Sequence, residues 1–508
     1  MIKSQSRITG VIISYISTAI RALSKLLITP IYIRILGLDD YGFYQYIFSI
    51  ASYVMILDFG ISSVINSFSI KCREKGDNDG VENVMFYTLV FSCVAALVIV
   101  VFGIAIFAGA PIIFGDTING RVGLTRKLLV LMISELIMLM FQHYFEGVIL
   151  AAEKYITLRG IDLIQILFRC IITILLLYSN IGVMSIAIGD FLGVGICLGF
   201  EVFYCFNKID LKIKYHYKDR ELLRGIAKLA IALCLQSIIS FLNSSIDKYV
   251  LGRYLGTVAV TIYSVALTFS IFFDEISTAI QRLYLPQVIK LVASGADGKT
   301  LTDFVIVPGR YQMVLCGGAL GGFIVLGRQF IELWTGKETL DAWVIALFLM
   351  VPSVLPLIQN VCLSILTALN KRMFRSCVLG SMAIANLFVT IFLVKKIGLM
   401  GAPIGTCISL ILGNNIAMNL YYKKVIGIDV IRLFKCVLKG ILPCAVVATV
   451  VTYPLTLVKA HGLIWFAADG IVFCIVYFVL LWFFGFNSVE KNKIQERVLL
   501  LLRKMGGK

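Results

Sequence analysis

The sequence predicts an all-α polytopic membrane protein. About fourteen transmembrane helices would form two parallel six-helix bundles related by a pseudo-twofold, plus a C-terminal hairpin. Three observations predict this. Hydrophobic residues make up 59% of the 508 and charged residues 15%, against about 25% charged in soluble domains, and mean hydropathy is +0.94. Apolar runs of about 20 residues, the length that crosses a bilayer, recur from end to end. The chain also repeats itself.

The repeat has three anchors. Arg34, Leu36, Gly37 and Tyr44 recur as Arg253, Leu255, Gly256 and Tyr263, 219 residues on. Ala151 and Lys154 recur as Ala368 and Lys371, at an offset of 217. Ile181-Gly182-x-Met184 with Ile188-Gly189 recurs as Ile397-Gly398-x-Met400 with Ile404-Gly405, at 216. A duplicated membrane bundle is the usual architecture of a transporter.

Taken in order, the spans fall at 11–33, 43–68, 84–109, 128–150, 160–179, 182–206, 225–250, 258–283, 309–330, 341–368, 374–394, 399–420, 436–456 and 463–484. Six spans separate equivalent helices. Six is even, so both repeats enter the membrane in the same direction. The expected organisation is a bundle over 1–206, a basic cytoplasmic linker over 207–224, a second bundle over 225–422, an extra hairpin over 436–484 and a basic amphipathic tail over 485–508. In the linker, Ile209–Lys218 alternates apolar and polar residues with the period of an extended chain.

Net charge is +17. With the N-terminus inside, the cytoplasmic segments, counting Arg375 at a span end, hold 28 of the 46 Lys and Arg, the opposite side, counting Arg328 at a span end, 10 and the rest of the spans 8. This positive-inside bias places both termini in the cytoplasm and explains the charge without nucleic acid. Arg121, Arg126 and Lys127 are the main exceptions outside. No cleavable signal peptide is expected after the short polar Met1–Gly10.

Several activities lack their residues. The thirteen cysteines are scattered without a Cys-x-x-Cys pair, and His143, His216 and His461 are too dispersed for a metal site. Ala293–Thr300 resembles the end of a phosphate loop but lacks its first glycine. No catalytic constellation, cofactor or metal is expected. Transport would run on an ion gradient, membrane potential or substrate supply.

Ionisable residues inside spans are costly and mark lumens or ion pairs. Ser14, Ser17, Thr18, Arg21, Ser24 and Lys25 lie at three- and four-residue spacings, one polar stripe on span one. Gln236, Ser240, Asn243, Ser244, Asp247 and Lys248 repeat it on span seven. The two stripes would face a central cavity, and an Arg21/Lys25 pair there suits an anionic substrate group such as a phosphate. Candidate substrate contacts are therefore Arg21, Lys25, Asp58, Asn243, Asp247 and Lys248. Two alternatives are that Asp58 or Glu135 satisfies Arg21 or Lys25 in a packing pair, and that Lys248 snorkels outward. Glu135, Asp162, Arg169, Asp190, Asp274 and Glu275 are candidates for cavity lining or ion coupling, with Glu201 beside them. Asp162 and Arg169, two turns apart on one helix, are expected to pair with each other. Pro352 and Pro356 would kink span ten, as a bending gate or a static bend. Gly317-x-x-x-Gly321 and Gly318-x-x-x-Gly322 read as a close helix-packing face.

Certain residues resemble a known family. Pro30-x-x-x-Arg34-x-Leu36-Gly37-x-x-x-Tyr41-Gly42-x-Tyr44, then Asp58-x-Gly60, is similar to the N-terminal signature of polysaccharide flippases. Ile246-Asp247-Lys248-Tyr249-x-Leu251-Gly252, then Leu255-Gly256 and Tyr263, resembles the start of the family's second half, and Leu285-Pro286 fits as well. The 6 + 6 + 2 arrangement is similar to the O-antigen and capsule flippases of the multidrug/oligosaccharidyl-lipid/polysaccharide exporter superfamily, which implies a MATE-like fold. The resemblance implies a multi-pass bacterial inner-membrane flippase that moves a polyprenyl-diphosphate-linked oligosaccharide to the outer leaflet. Membrane lipids, a polysaccharide polymerase, a chain-length regulator and an H+ or Na+ coupling ion are the partners it implies. The rivals are a cation-coupled multidrug exporter of the same superfamily, a membrane oligosaccharide polymerase or acyltransferase, and a non-transporting scaffold.

Overall fold

A computed structural model describes residues 2–54, 60–369, 371–457 and 462–496, with side chains left undescribed at 2–19, 22, 235–236, 239–244 and 372. Among the described residues the chain is helical apart from its turns and the segment 210–219, without a strand. The helices are α1 (Ile2–Ala51), α2 (Ile61–Glu74), α3 (Asn78–Ala108), α4 (Ala110–Phe114), α5 (Val122–Ala151), α6 (Tyr155–Tyr178), α7 (Met184–Lys208), α8 (Arg220–Leu255), α9 (Thr257–Ala293), α10 (Gly298–Thr335), α11 (Asp341–Ile358), α12 (Val361–Ala368), α13 (Arg372–Ile397), α14 (Gly401–Leu410), α15 (Met418–Tyr421), α16 (Val430–Leu438), α17 (Ile441–Thr452) and α18 (Leu463–Leu480).

Nine of the described helices are long and apolar enough to cross a membrane, ten when α16 and α17, bent by 43°, count as one span. One of the nine, Met373–Ile426, is 54 residues long and carries the eleventh and twelfth expected spans. The first two expected spans lie along α1 and α2, and the seventh is α8. Among the described residues, each of the fourteen apolar runs overlaps one or more of these helices. Apolar side chains stay exposed on the outer faces, as with Val94, Leu97, Val101, Phe102 and Ile104 on α3. A face of that kind is at home in lipid, where hydrocarbon replaces water as the neighbour.

The repeat anchors have matching backbone. Gly37 interrupts α1 at φ 81, ψ 172, and Gly256 closes α8 at φ 89, ψ −178, a region essentially reserved for glycine. Gly182 and Gly398 have φ of 68° and 67°. Ala151 and Ala368 each end a helix, and Lys154 and Lys371 each precede the next.

Four helices start on an aspartate cap. Asp77 Oδ1 accepts from Gly80 N at 2.7 Å, Asp219 Oδ1 from Leu222 N at 2.8 Å, Asp297 Oδ1 from Thr300 N at 2.9 Å and Asp429 Oδ1 from Arg432 N at 3.0 Å. Each satisfies an orphan N–H of a first turn. The Thr300 side chain and N–H hold the Asp297 carboxyl below its ordinary range. All four lie on the side the charge bias assigns to the cytoplasm.

The chain divides into two compact units, residues 1–261 and 262–508. In the first, α5 packs against α2, α3 and α7, α6 against α1 and α7, and α8 against α1. Its core gathers Met85, Leu136, Met140, Tyr144, Phe145 and Ile149. The segment 210–219 has no regular structure. Ile209, Leu211 and Ile213 turn onto that core, while Asp210, Lys212 and Lys214 stay exposed. His216 Nε2 meets Glu82 at 2.6 Å, and Tyr217 O accepts from the Tyr87 hydroxyl at 3.2 Å. Arg121 pairs with Asp39 at 2.8 Å and Asp40 at 3.0 Å, which neutralises an exception to the charge bias.

In the second unit α10 packs against α11, α16, α17 and α18, and α14 against α11 and α13. The glycines of α10 are contact points. A Cβ on Gly318 would lie 2.7 Å from the Tyr477 ring, and one on Gly321 2.6 Å from Thr449 Oγ1. The tail enters this packing through Glu490. Its carboxylate receives Arg310 Nε at 2.6 Å and Nη2 at 3.0 Å. The same guanidinium donates to the carbonyls of Cys436 at 2.8 Å, Lys439 at 3.2 Å and Gly485 at 2.8 Å. Helix continues to Glu496, the last described residue.

Candidate functional site

Within the first unit a polar cavity of about 440 Å³ opens between α1, α5, α6, α7 and α8. Span one contributes Arg21, Ser24 and Lys25. The hydroxyls of Ser24 and Thr29 bond back to the carbonyls of Arg21 at 2.9 Å and Lys25 at 2.8 Å. That habit hides small polar side chains within an apolar helix and leaves the long cationic ones to define the surface. Beyond Gly37, the second segment of α1 adds Tyr41, Tyr44 and Gln45. Lys248 enters from α8, and its Nζ donates to Gln45 Oε1 at 3.0 Å. Gln45 in turn donates to the Tyr41 hydroxyl at 3.1 Å.

The opposite wall is an ion network built around a buried carboxylate. Asp190, 6% exposed, accepts from the Tyr44 hydroxyl at 2.7 Å and pairs with Arg169. Glu135 and Gln165 line the same wall. Among the lining residues the cations are Arg21, Lys25, Arg169 and Lys248 and the carboxylates are Glu135 and Asp190. Four minus two leaves a formal charge of +2. In a low-dielectric setting such an excess is a strong attraction for an anion. Arg21 is 62% exposed by its side chain and reaches Asp162 at 3.9 Å.

Several expectations are corrected here. Asp162 does not pair with Arg169. Arg159, three residues back on the same turn, takes Asp162 at 2.7 Å, and Arg169 goes to Asp190 on the neighbouring helix. Arg21 draws near Asp162 rather than Glu135. Lys248 does not snorkel away; it lies in the cavity wall. Asp247 is buried at 3% exposure and is not among the lining residues. Asp58, and the side chains of Asn243, Gln236, Ser240 and Ser244, lie outside the described residues. Glu201 is fully buried next to Cys197, whose thiol points to it at 3.7 Å, and Gln142 links Cys197 to Gln165 at the cavity edge.

The remaining candidates lie in the second unit. Asp274 lines a separate cavity there with Pro356, and Glu275 is exposed outside it. Pro352 and Pro356 sit inside α11, which ends two residues after Pro356. The tyrosines 32, 41 and 44 and the glutamines 45 and 165 escaped the sequence reading. They stand in the family-like signature or on apolar helices, where a polar tip carries no charge to flag it.

A family model described as polysaccharide biosynthesis protein matches residues 8–289. Among solved structures, the fold is similar to the lipid II flippase MurJ in its inward closed conformation, at 15% identity and a TM-score of 0.71, over 93% of this chain and 98% of that one. It is also similar to a multidrug resistance MATE family transporter of the MOP superfamily. The inward-facing form matches at 14% identity and TM-score 0.62, over 81% of this chain and 96% of that one. The outward-facing form matches at 14% and 0.58, over 84% and 95%. These neighbours are a flippase and transporters, not enzymes. No curated sequence matches.

Proposed function

Because the chain belongs to the polysaccharide biosynthesis protein family, we propose that it is a flippase for a lipid-linked oligosaccharide. The substrate would be a polyprenyl-diphosphate-linked repeat unit of an O-antigen, capsule or exopolysaccharide. It would move from the cytoplasmic to the outer leaflet of a bacterial inner membrane by alternating access. The observation that carries this reading is the cavity of the first unit, polar, large enough for a headgroup and lined by two more cations than carboxylates. Arg21 and Lys25 would hold the diphosphate, the guanidinium bidentately and the ammonium as a point charge. Lys248 and Arg169 would add to the field. Tyr41, Tyr44 and Gln45 would meet the sugar.

The physics supports a device of this kind. A sugar diphosphate cannot enter hydrocarbon, whereas its lipid tail can remain there. A potential negative inside favours outward movement at about 2.3 kcal/mol per charge per 100 mV, so two charges gain roughly 4–5 kcal/mol. An H+ or Na+ gradient would be an additional drive. A cationic cavity is a poor host for the cationic substrates of a drug exporter.

The test is rescue of a strain that lacks its own polysaccharide flippase, with labelled lipid-linked oligosaccharide followed to the outer leaflet. Each charge-assisted hydrogen bond is worth about 1.5–3 kcal/mol. The Arg21→Ala/Lys25→Ala chain, inserted normally, should therefore bind and move the lipid at least roughly a hundredfold less well. Rescue by both forms would remove Arg21 and Lys25 from the site. Absence of rescue by the wild type with its own matched polysaccharide cluster would overturn the flippase reading.

A further inference from the structure

The second unit holds a polar cavity of its own, of about 270 Å³, at the interruption between α11 and α12. Asp274, Gln281, Gln359, Asn360, Arg375 and Asn414 line it. Two broken helices make it. Pro356 has no N–H, so the Pro352 carbonyl loses its helical donor; Asn415 Nδ2 supplies one at 3.1 Å. Beyond Ile358 the chain turns through Gln359 and Asn360 before α12 resumes. Ser277 props the break: its hydroxyl donates to the Leu357 carbonyl at 2.7 Å and accepts from Asn360 Nδ2 at 3.2 Å. On the facing side, a π-helical turn over Ile411–Ala417 carries Asn414 and Asn415. Such turns recur at functional sites because the extra residue re-aims side chains.

Among the described lining residues one amide oxygen is left over. Gln359 is 3% exposed, and its buried Oε1 has no hydrogen-bond partner among the described residues, although the residue faces the cavity. A buried amide oxygen without a donor is costly, and polar groups held at membrane depth mark function.

We propose that this cavity is a saccharide-binding subsite that holds one sugar ring of the transported glycan. The proposal rests on the flippase reading and adds a second site to it. The composition selects the ligand. One cation beside one carboxylate leaves no excess for a diphosphate. One carboxylate is too few for a dedicated cation cage, and the wall is too polar for an apolar drug. Four amides each offer both donors and acceptors, which is what adjacent ring hydroxyls require. The volume lies just below the range of about 300–1,000 Å³ for small-molecule sites, so it accommodates a ring rather than a chain.

The test uses the purified full chain in lipid nanodiscs. Two probes are titrated: undecaprenyl diphosphate, and the lipid-linked oligosaccharide extracted from the rescued strain. The wild type should bind the glycosylated lipid at least tenfold more tightly than the bare one. Gln359→Leu and, separately, Asn414→Leu should reduce that ratio five- to tenfold while binding of the bare lipid stays unchanged. Arg21→Ala/Lys25→Ala should weaken both lipids together. A ratio unaltered in both Leu variants, with bare-lipid binding intact, overturns the subsite and leaves the flippase standing. Equal loss of both lipids in the Leu variants, at an unchanged melting temperature, also overturns it. Binding of neither lipid by the wild type overturns the subsite and the flippase reading together.

Discussion

Asp190 shows how much one residue settles inside a membrane. Its carboxylate answers both the Tyr44 hydroxyl and the Arg169 guanidinium, and α7 brings it there although it lies 21 residues beyond Arg169 in sequence. Removing one partner of a buried ion pair costs about 3–5 kcal/mol. Arg169 keeps 49% of its side chain exposed, so Asp190→Ala should cost the low end of that range. Tyr44→Phe should cost about 1 kcal/mol, the net worth of one hydrogen bond. Thermal unfolding of the purified protein measures both; equal small losses would mean that the pair is water-screened. Spacing alone could not find this pair. It placed Asp162 and Arg169 on one helical face, yet Arg159 sits one turn nearer to Asp162. The acid for Arg169 comes from a different helix, which periodicity cannot see. Polar stripes on single helices were readable because 3.6-residue geometry is local.

At the scale of elements, two prolines, two glycines and one arginine carry predictions. If the α11 prolines act as a gate, Pro352→Ala/Pro356→Ala should reduce transport at least several-fold in the rescue assay while the chain still inserts and folds; unchanged transport would leave a static bend. Gly37→Ala and Gly256→Ala should each cost about 1–3 kcal/mol. No atom lies within 4 Å of a Cβ at either position, so the loss would be conformational, and a melting temperature near that of the wild type would sink the argument. Arg310→Ala should be severe, about 3–5 kcal/mol, because it strands the buried Glu490 and three carbonyls. Glu490→Gln should be milder, since an amide still accepts one of those bonds; the same melt ranks the two. In the sequence Arg310 merely stands at the start of the ninth apolar run, 309–330. Its partner is 180 residues away, beyond the reach of any local pattern. The linker's alternation at Ile209, Leu211 and Ile213 has the period of an extended chain; only the structure shows those residues turned onto the core of the first unit.

For the whole molecule, the charge bias predicts that both ends lie in the cytoplasm. A fluorescent protein fused at either terminus should fluoresce, and alkaline phosphatase inserted at residue 119 should be active outside. The opposite pattern would invert the topology and, with it, the direction of transport. The amino-acid sequence by itself determined the membrane class, the helical spans, the duplication and the family signature. These follow from composition, run length and repeated glycine anchors, all properties of the chain taken one segment at a time. Only the tertiary structure decided which ions pair, that Lys248 joins Arg21 and Lys25 around one cavity, and that amides gather at the break in span ten. Those outcomes depend on which helices become neighbours. In lipid, helices are sorted by close packing and by the need to satisfy every buried polar group, and neither is written in any single segment.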